Sequence, residues 1–336
     1  MRRRDDEVGM RAITISRFGE VDVLEAADLA VPEPGPGQVS IDVSHAAVGL
    51  ADVLMRCGEF GGTPPIVPCL EVAGTVRKVG AGVHHLRGGQ PVVTLSRPTA
   101  GGYAEVSVAD AAITIPLDSV DPRLDAAEAV AVVPNTTTAL LALELVGNVG
   151  PGSQVLIHGA AGALSGITAQ VARRLGAAQV LGTVRSSRRA AEAERYGYDL
   201  VVSSNGFRIA LSDAGIDSVD IVVDPVGGRL RAESLEVLAP LGRLLAVGNA
   251  SGEDDVRVGA NELWLANRAV LGFNVGGLLM QDPTAAEAAA RRAIAWVAAG
   301  TVSMPHTTLP LAQAAEAHRL LESGDCEGRI VLTVPD

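Results

Sequence analysis

The sequence predicts an α/β protein of two units, a compact barrel-like all-β unit and a doubly wound parallel sheet. Three observations carry this expectation. Residues 11–120 are short runs rich in Val, Ile and Thr, broken every few positions by glycine or proline. From Gln154 onward, apolar runs alternate with segments of helical spacing. Between the two regimes stands a strand, a small-residue turn and a helix, Gln154–Ala177.

In chain order, Met1–Gly9 holds three arginines and three acids with no apolar stretch behind it, so residues 1–9 read as a polar extension rather than a secretory signal. Strands are expected at Arg11–Phe18, Val39–Val48, Val72–Val79, Pro91–Leu95 and Tyr103–Val108, punctuated by Pro-Glu-Pro-Gly-Pro-Gly at 32–37 and later glycines. Ala126–Val146 reads as helix. Val155–His158 is a short buried strand, Gly159–Gly162 a turn, and Leu164, Ile167, Val171 and Leu175 line one face of the helix that follows. Further strands are expected at Gln179–Val184, Leu200–Ser203, Val219–Asp224, Arg243–Gly248, Ala269–Phe273 and Arg329–Val334, with helices such as Arg229–Leu238 between several. Thr284-x-x-Glu287 forms a capping box for a helix to about Ala299, and Leu311–Glu322 ends at Gly324.

The turn carries chemistry. Small residues let backbone approach a pyrophosphate, and the N–H groups opening a helix attract its charge. The fingerprint is altered: Gly159-x-x-Gly162-x-x-Ser165 has serine at its third glycine and Ala163 where a further glycine is common. The next strand ends in Arg185-Ser186-Ser187-Arg188-Arg189, and no Asp or Glu occurs between Glu144 and Glu192. An acid there would hold an adenine ribose hydroxyl, whereas arginine suits a 2′-phosphate, so the expected cofactor is NADPH.

With 336 residues the chain can bury two cores. A net charge of −12 argues against nucleic acid as partner, and the absence of a continuous apolar run of about 20 residues argues against a membrane. Lys78 is the sole lysine against 26 arginines, so arginine is not everywhere a signal. Cys57, Cys69 and Cys326 are too few and scattered for a disulfide framework, which fits a cytoplasmic protein.

Several segments resemble the medium-chain dehydrogenase/reductase superfamily, and within it the zinc-free quinone oxidoreductase (zeta-crystallin-like) branch. They are Ala47–Asp52 with Arg56-Cys57-Gly58, Pro68–Gly74, Gly101–Glu105, Thr138-Ala139, the Gly159–Ser165 turn, Asp224–Gly228, Gly242-Arg243-Leu244 with Val247-Gly248, and Glu327–Leu332. The resemblance implies a GroES-like β-barrel domain from residues 10–127 and 275–336, a Rossmann domain over 128–274, an active site in the interdomain cleft, and a homodimer joined through the last Rossmann strand. By family position, Thr138 is the hydroxyl nearest the nicotinamide. Gly49, Asp52, Phe60 and Asn274 face the substrate pocket. Gly159, Ala160, Ala161, Gly162, Ala163, Leu164, Ser165, Arg185, Ser186, Arg188, Val226, Val247, Gly248, Asn249, Phe273 and Asn274 contact the coenzyme. Family members commonly have asparagine at 49 and tyrosine at 60, so two polar groups are lost here.

No metal is expected. The family's Gly-His-Glu segment reads Cys69-Leu70-Glu71, cysteines are not clustered, and Cys57 and Cys69 read as small core residues. His84 and His85 read as exposed, His158 as a satisfied structural histidine and Tyr103 as a brace for its glycine turn. Without metal, hydride passes from the nicotinamide to a small molecule whose developing charge is delocalised, a quinone or α,β-unsaturated carbonyl compound. The alternatives are a tailoring reductase for the enone of a polyketide-like intermediate, and a coenzyme-binding protein with little or no catalysis.

Overall fold

The computed structural model describes residues 9–96, 100–118 and 124–335; the expected polar extension lies outside them except for Gly9. The chain divides into two compact units, one ending at Pro134 and resuming at Gly276, the other Asn135–Val275.

The first unit is mostly antiparallel sheet. Its strands are β1 (Gly9–Ile15), β2 (Leu24–Ala30), β3 (Gln38–Val48), β4 (Val72–Val79), β5 (Pro91–Thr94), β6 (Val106–Asp110) and β7 (Thr114–Pro116), with helix α1 (Leu50–Cys57) after β3. β3 is the organiser: it pairs with β4 and β6, and its C-terminal half pairs with the last strand of the chain, Arg329–Thr333. Eleven residues long, it bends through register shifts between Ser40 and Ile41 and between Val43 and His45. Gly74 permits the crossing, since a Cβ there would stand 2.0 Å from the Asp42 carbonyl oxygen. Val39, Ile41, Val72, Val92, Ile330 and Leu332 fill the interior with Tyr103, whose hydroxyl lies 3.2 Å from His318 Nε2.

α2 (Ala126–Leu141) leads onward and loosens into a π-helical turn, Ala142–Gly147. Together they have the length and mean hydropathy (1.6) of a membrane span, but 72% of that window is buried inside the protein, as in a core helix.

The second unit alternates: β8 (Gln154–Ile157), α3 (Ala163–Arg174), β9 (Gln179–Val184), α4 (Ser187–Glu194), β10 (Leu200–Ser203), α5 (Phe207–Asp213), β11 (Val219–Asp224), α6 (Gly228–Val237), β12 (Leu238–Ala246), α7 (Ala260–Ala266) and β13 (Ala269–Gly272). The parallel sheet runs β10-β9-β8-β11-β12-β13, the doubly wound order that reverses between β8 and β11. Leu156, Leu181, Val222 and Leu244 sit at or near zero exposure, which is why the stretches Val155–Ile157 and Ile221–Val223 around two of them are wholly apolar. The chain closes with α8 (Val275–Gln281), α9 (Glu287–Ala298), β14 (His306–Pro310), α10 (Ala314–Ser323) and β15 (Arg329–Thr333), the last two strands parallel to one another.

Two expectations need correction. The Thr284 capping box does not form: α9 starts at Glu287 with Ala286 as its cap, and the Thr284 hydroxyl donates instead to Asp282 Oδ1 at 2.7 Å. A serine-like side chain next to an aspartate has a local acceptor that competes with the helix. Cys57 is not a core residue but exposed, because the last turn of α1 presents it outward; Cys69 is buried.

Candidate active site

The glycine turn follows β8. Gly159 has φ 64°, a left-handed conformation suited to glycine, and lets the chain leave the sheet before Gly162 caps α3. The altered third position has a structural account. Ser165 is 4% exposed and its hydroxyl donates to the His158 carbonyl at 2.8 Å, closing the turn. The close approach usually allowed by a third glycine is taken one residue on: a Cβ at Gly166 would lie 2.6 Å from the Tyr196 ring. Ala160 donates to the Thr183 carbonyl at 2.8 Å, tying the turn to β9. The first N–H groups of α3, at Ala163, Leu164 and Ser165, have no carbonyl a turn below them and form an anion-attracting terminus.

At the end of β9, Arg185, Ser186 and Arg188 are exposed. Sequence reasoning passed over Arg189, whose Nη2 donates to the Ala161 carbonyl at 2.9 Å while Nη1 pairs with Glu192 at 3.1 Å. It links α4 to the glycine turn, and its place in a run of arginines concealed it. A second overlooked element is Asp224, fully buried at the end of β11. Oδ1 accepts the Val226 and Gly227 N–H groups at 2.9 and 2.8 Å; Oδ2 accepts Arg231 Nε at 2.7 Å. Arg231 in turn donates to the Gly248 carbonyl at 2.6 Å, fixing the loop after β12. Gly227 has φ 79°, and a Cβ there would strike Asn249. Val247 is half-buried; Gly248 and Asn249 are exposed. Phe273 donates to the Ala246 carbonyl at 3.0 Å and Asn274 is exposed just beyond β13. These coenzyme candidates follow the C-terminal ends of β8, β9, β11, β12 and β13, which parallel strands bring to one edge of the sheet. Thr138, half-buried on α2, belongs to the same unit.

His158 lies inside the sheet, not at this edge. Nδ1 is 2.9 Å from the Thr183 hydroxyl and Nε2 2.6 Å from that of Ser234, and burial lowers its pKa to about 4. It is a satisfied neutral histidine.

In the first unit, Gly49 caps α1 and donates to Asp52 Oδ2 at 2.8 Å, while Asp52 Oδ1 accepts the Cys69 N–H at 2.9 Å. Cys69 takes φ 81°, unusual for a residue with a side chain, in presenting that N–H. Glu71 accepts from Ser96 and from Arg329, and Arg329 Nη1 also donates to the Ala131 carbonyl at 3.4 Å. Glu71 thus has a counter-ion, whereas Asp52 has backbone amides; burial first, then Glu71, raises the Asp52 pKa to about 7. Phe60, beyond the end of α1, is 50% exposed. As metal donors these groups do not fit: the Cys69 thiol donates to the Ala47 and Glu71 carbonyls at 3.4 and 3.1 Å, and among the described residues no three His, Cys, Asp or Glu are grouped to hold an ion.

An antiparallel barrel-like unit joined to a doubly wound sheet with a nucleotide turn defines an oxidoreductase of the dehydrogenase class. The alcohol dehydrogenase GroES-like domain family matches residues 35–119, and the zinc-binding dehydrogenase family residues 196–332. A 2-haloacrylate reductase from Burkholderia is 31% identical over 332 residues, covering 96% of this chain and 98% of that protein. A mycocerosic acid synthase-like polyketide synthase of Mycobacterium tuberculosis is 30% identical over 98% of this chain, which spans 16% of that protein. The crystal structure of Escherichia coli quinone oxidoreductase complexed with NADPH superposes with a TM-score of 0.87 at 25% identity, over 96% of this chain and 99% of that one. The chain belongs to the medium-chain dehydrogenase/reductase superfamily, in its quinone oxidoreductase branch.

Proposed function

We propose that the protein is an NADPH-dependent reductase of quinones or α,β-unsaturated carbonyl compounds that works without a metal. The observation that carries the reading is the end of β9, where Arg185 and Arg188 stand exposed with no acid in the segment and Arg189 braces the adjoining glycine turn. That arrangement suits a coenzyme with a 2′-phosphate. Bound there, NADPH supplies a hydride. The residues of the turn and of the Asp224 and Gly248 loops hold its phosphates and ribose, and Thr138 donates a hydrogen bond to the acceptor oxygen. Gly49, Asp52, Phe60 and Asn274 border the substrate. Because Asp52, Cys69 and Glu71 are committed to partners within the fold, polarisation rests on hydroxyl and main-chain donors. The test is NADPH consumption on simple quinones and enones before and after exhaustive chelation.

The likeness to a polyketide synthase over 98% of the chain favours a second reading, reduction of a thioester-borne enone. Faster turnover on an acyl-thioester enone than on a free quinone selects it. We also infer a cytoplasmic homodimer, joined where β13 ends the sheet beside Trp264 and Leu265, which are 73% and 74% exposed. A monomeric mass at micromolar concentration contradicts that assembly.

A further inference from the structure

Past the ends of β11 and β12 the two segments of the second unit stay together. Val247 donates to the Asp224 carbonyl at 2.9 Å, Ala250 to that of Pro225 at 3.0 Å and Ser251 to that of Val226 at 2.9 Å. Residues 247–251 therefore lie as a strap along residues 224–226. The strap then turns, with the Gly252 N–H donating to the Asn249 carbonyl at 3.1 Å and Asn249 Nδ2 to the Glu253 carbonyl at 3.2 Å. Glu253 brings the chain back to α6. Its Oε2 accepts the Arg229 N–H at 2.7 Å, one of the amides that a helix start leaves without a carbonyl below it. A carboxylate is the favoured group at that end of a helix.

The Gly227-Gly228 pair is what admits this contact. Both residues are buried and left-handed, with φ of 79° and 57°. A Cβ at Gly227 would stand 2.0 Å from Asn249 Oδ1, and one at Gly228 would stand 2.2 Å from Glu253 Oε2. Two bare stretches of backbone thus form the floor on which the Asn249 and Glu253 side chains sit. The sheet order places β8, with its glycine turn, between β9 and β11. With the 2′-phosphate at the end of β9 and the pyrophosphate at the turn, the nicotinamide half of NADPH extends over the ends of β11 and β12, where the strap lies.

We propose that Glu253 is a positioning residue for the coenzyme: seated at the start of α6, its carboxylate holds the strap that carries Val247, Gly248 and Asn249 where the nicotinamide half binds. The inference rests on the coenzyme reading above. Glu253 acts through the strap rather than by touching the coenzyme. Without its carboxylate the strap retains its backbone bonds to residues 224–226 and the Arg231 contact at Gly248, but loses its tie to α6. The binding-competent arrangement is then populated for only part of the time, and the apparent dissociation constant rises by the inverse of that fraction. Because the 2′-phosphate is read on the other side of the turn, at β9, the loss falls equally on NADPH and NADH. It spares 2′,5′-ADP, which is the adenosine half alone.

The experiment titrates wild type, Glu253→Ala, Glu253→Asp and Glu253→Gln with NADPH, NADH and 2′,5′-ADP in a calorimeter. Glutamine keeps the reach and an acceptor oxygen, whereas aspartate keeps the charge and falls one methylene short. Glu253→Ala and Glu253→Asp should each raise Kd for NADPH and for NADH by the same factor, about 10-fold, and leave 2′,5′-ADP unchanged. Glu253→Gln should bind all three within about 3-fold of wild type. A variant that had merely lost stability would weaken all three ligands together. Wild-type Kd for NADPH in Glu253→Ala, a loss shared by 2′,5′-ADP, or a glutamine variant as weak as the alanine one overturns the positioning role alone. A wild type that binds neither NADPH nor 2′,5′-ADP overturns the coenzyme reading and the positioning role with it.

Discussion

Asp224 and Arg231 form a buried pair, Arg231 Nε donating to Asp224 Oδ2 at 2.7 Å. The pair joins two loops of the nucleotide edge, because Asp224 organises the turn after β11 and Arg231 holds the Gly248 carbonyl after β12. Removing one member of such a pair leaves a charge buried without a partner. Arg231→Met should therefore cost about 3–5 kcal/mol in urea unfolding and weaken NADPH binding measured by nucleotide fluorescence. An unchanged unfolding midpoint would mean that the pair contributes nothing to either loop.

Coenzyme choice is the second expectation. The double variant Arg185→Ala with Arg188→Ala removes two charge-assisted bonds, each worth about 1.5–3 kcal/mol. KM for NADPH should rise by roughly 10-fold or more, and that for NADH far less. Equal effects on the two coenzymes would remove these arginines from the 2′-phosphate.

Stability should depend on pH in a way set by three buried groups. Burial lowers His158 and His318 to about 4, and a positive Arg56 adds to the effect at His318. Between about pH 4 and 6.5 the unfolded chain therefore binds two more protons on these histidines than the folded one does. Asp52, raised to about 7, has the opposite sign: its contribution is full below pH 3.8 and lost as pH rises through 7. Among these three groups two minus one leaves a net single proton, so together they should make stability fall by about 1.4 kcal/mol per pH unit on acidification through that window, and the lowered His45 adds to the fall. Asp52→Asn should roughly double the slope. A flat profile from pH 6.5 to 4.5 contradicts the burial of these histidines as neutral groups.

The substrate side can be tested by exchanging hydroxyls. Thr138→Val should lower kcat by about 10-fold, or 1.4 kcal/mol of transition-state stabilisation, with KM for NADPH unaltered. Phe60→Tyr should change little. No effect of Thr138→Val would assign polarisation to backbone N–H groups.

Much of this architecture is legible in the sequence where burial dictates residue type. Val155–Ile157 and Ile221–Val223 must be apolar because helices cover both faces of their sheet, so their strand character is plain. Strands β2 (LEAADLA) and β14 (HTTLP) escape such reading. Both are half exposed and their strand character comes from the partner, β1 and β15 respectively, rather than from side chains. The Gly159–Ser165 turn is readable as a motif, but not the transfer of close packing from Ser165 to Gly166, which depends on Tyr196 thirty residues later. Likewise Glu71 and Arg329 are 258 positions apart, and only folding makes them the wall of one cavity.

The most direct test is the decay of NADPH absorbance when purified, chelator-treated protein meets a simple quinone or cyclic enone. NADPH should be oxidised stoichiometrically, faster than NADH, and at the same rate before and after chelation. NADPH that binds but is never consumed, a preference for NADH, or activity that vanishes with the chelator and returns with zinc would contradict the metal-free, NADPH-dependent reading.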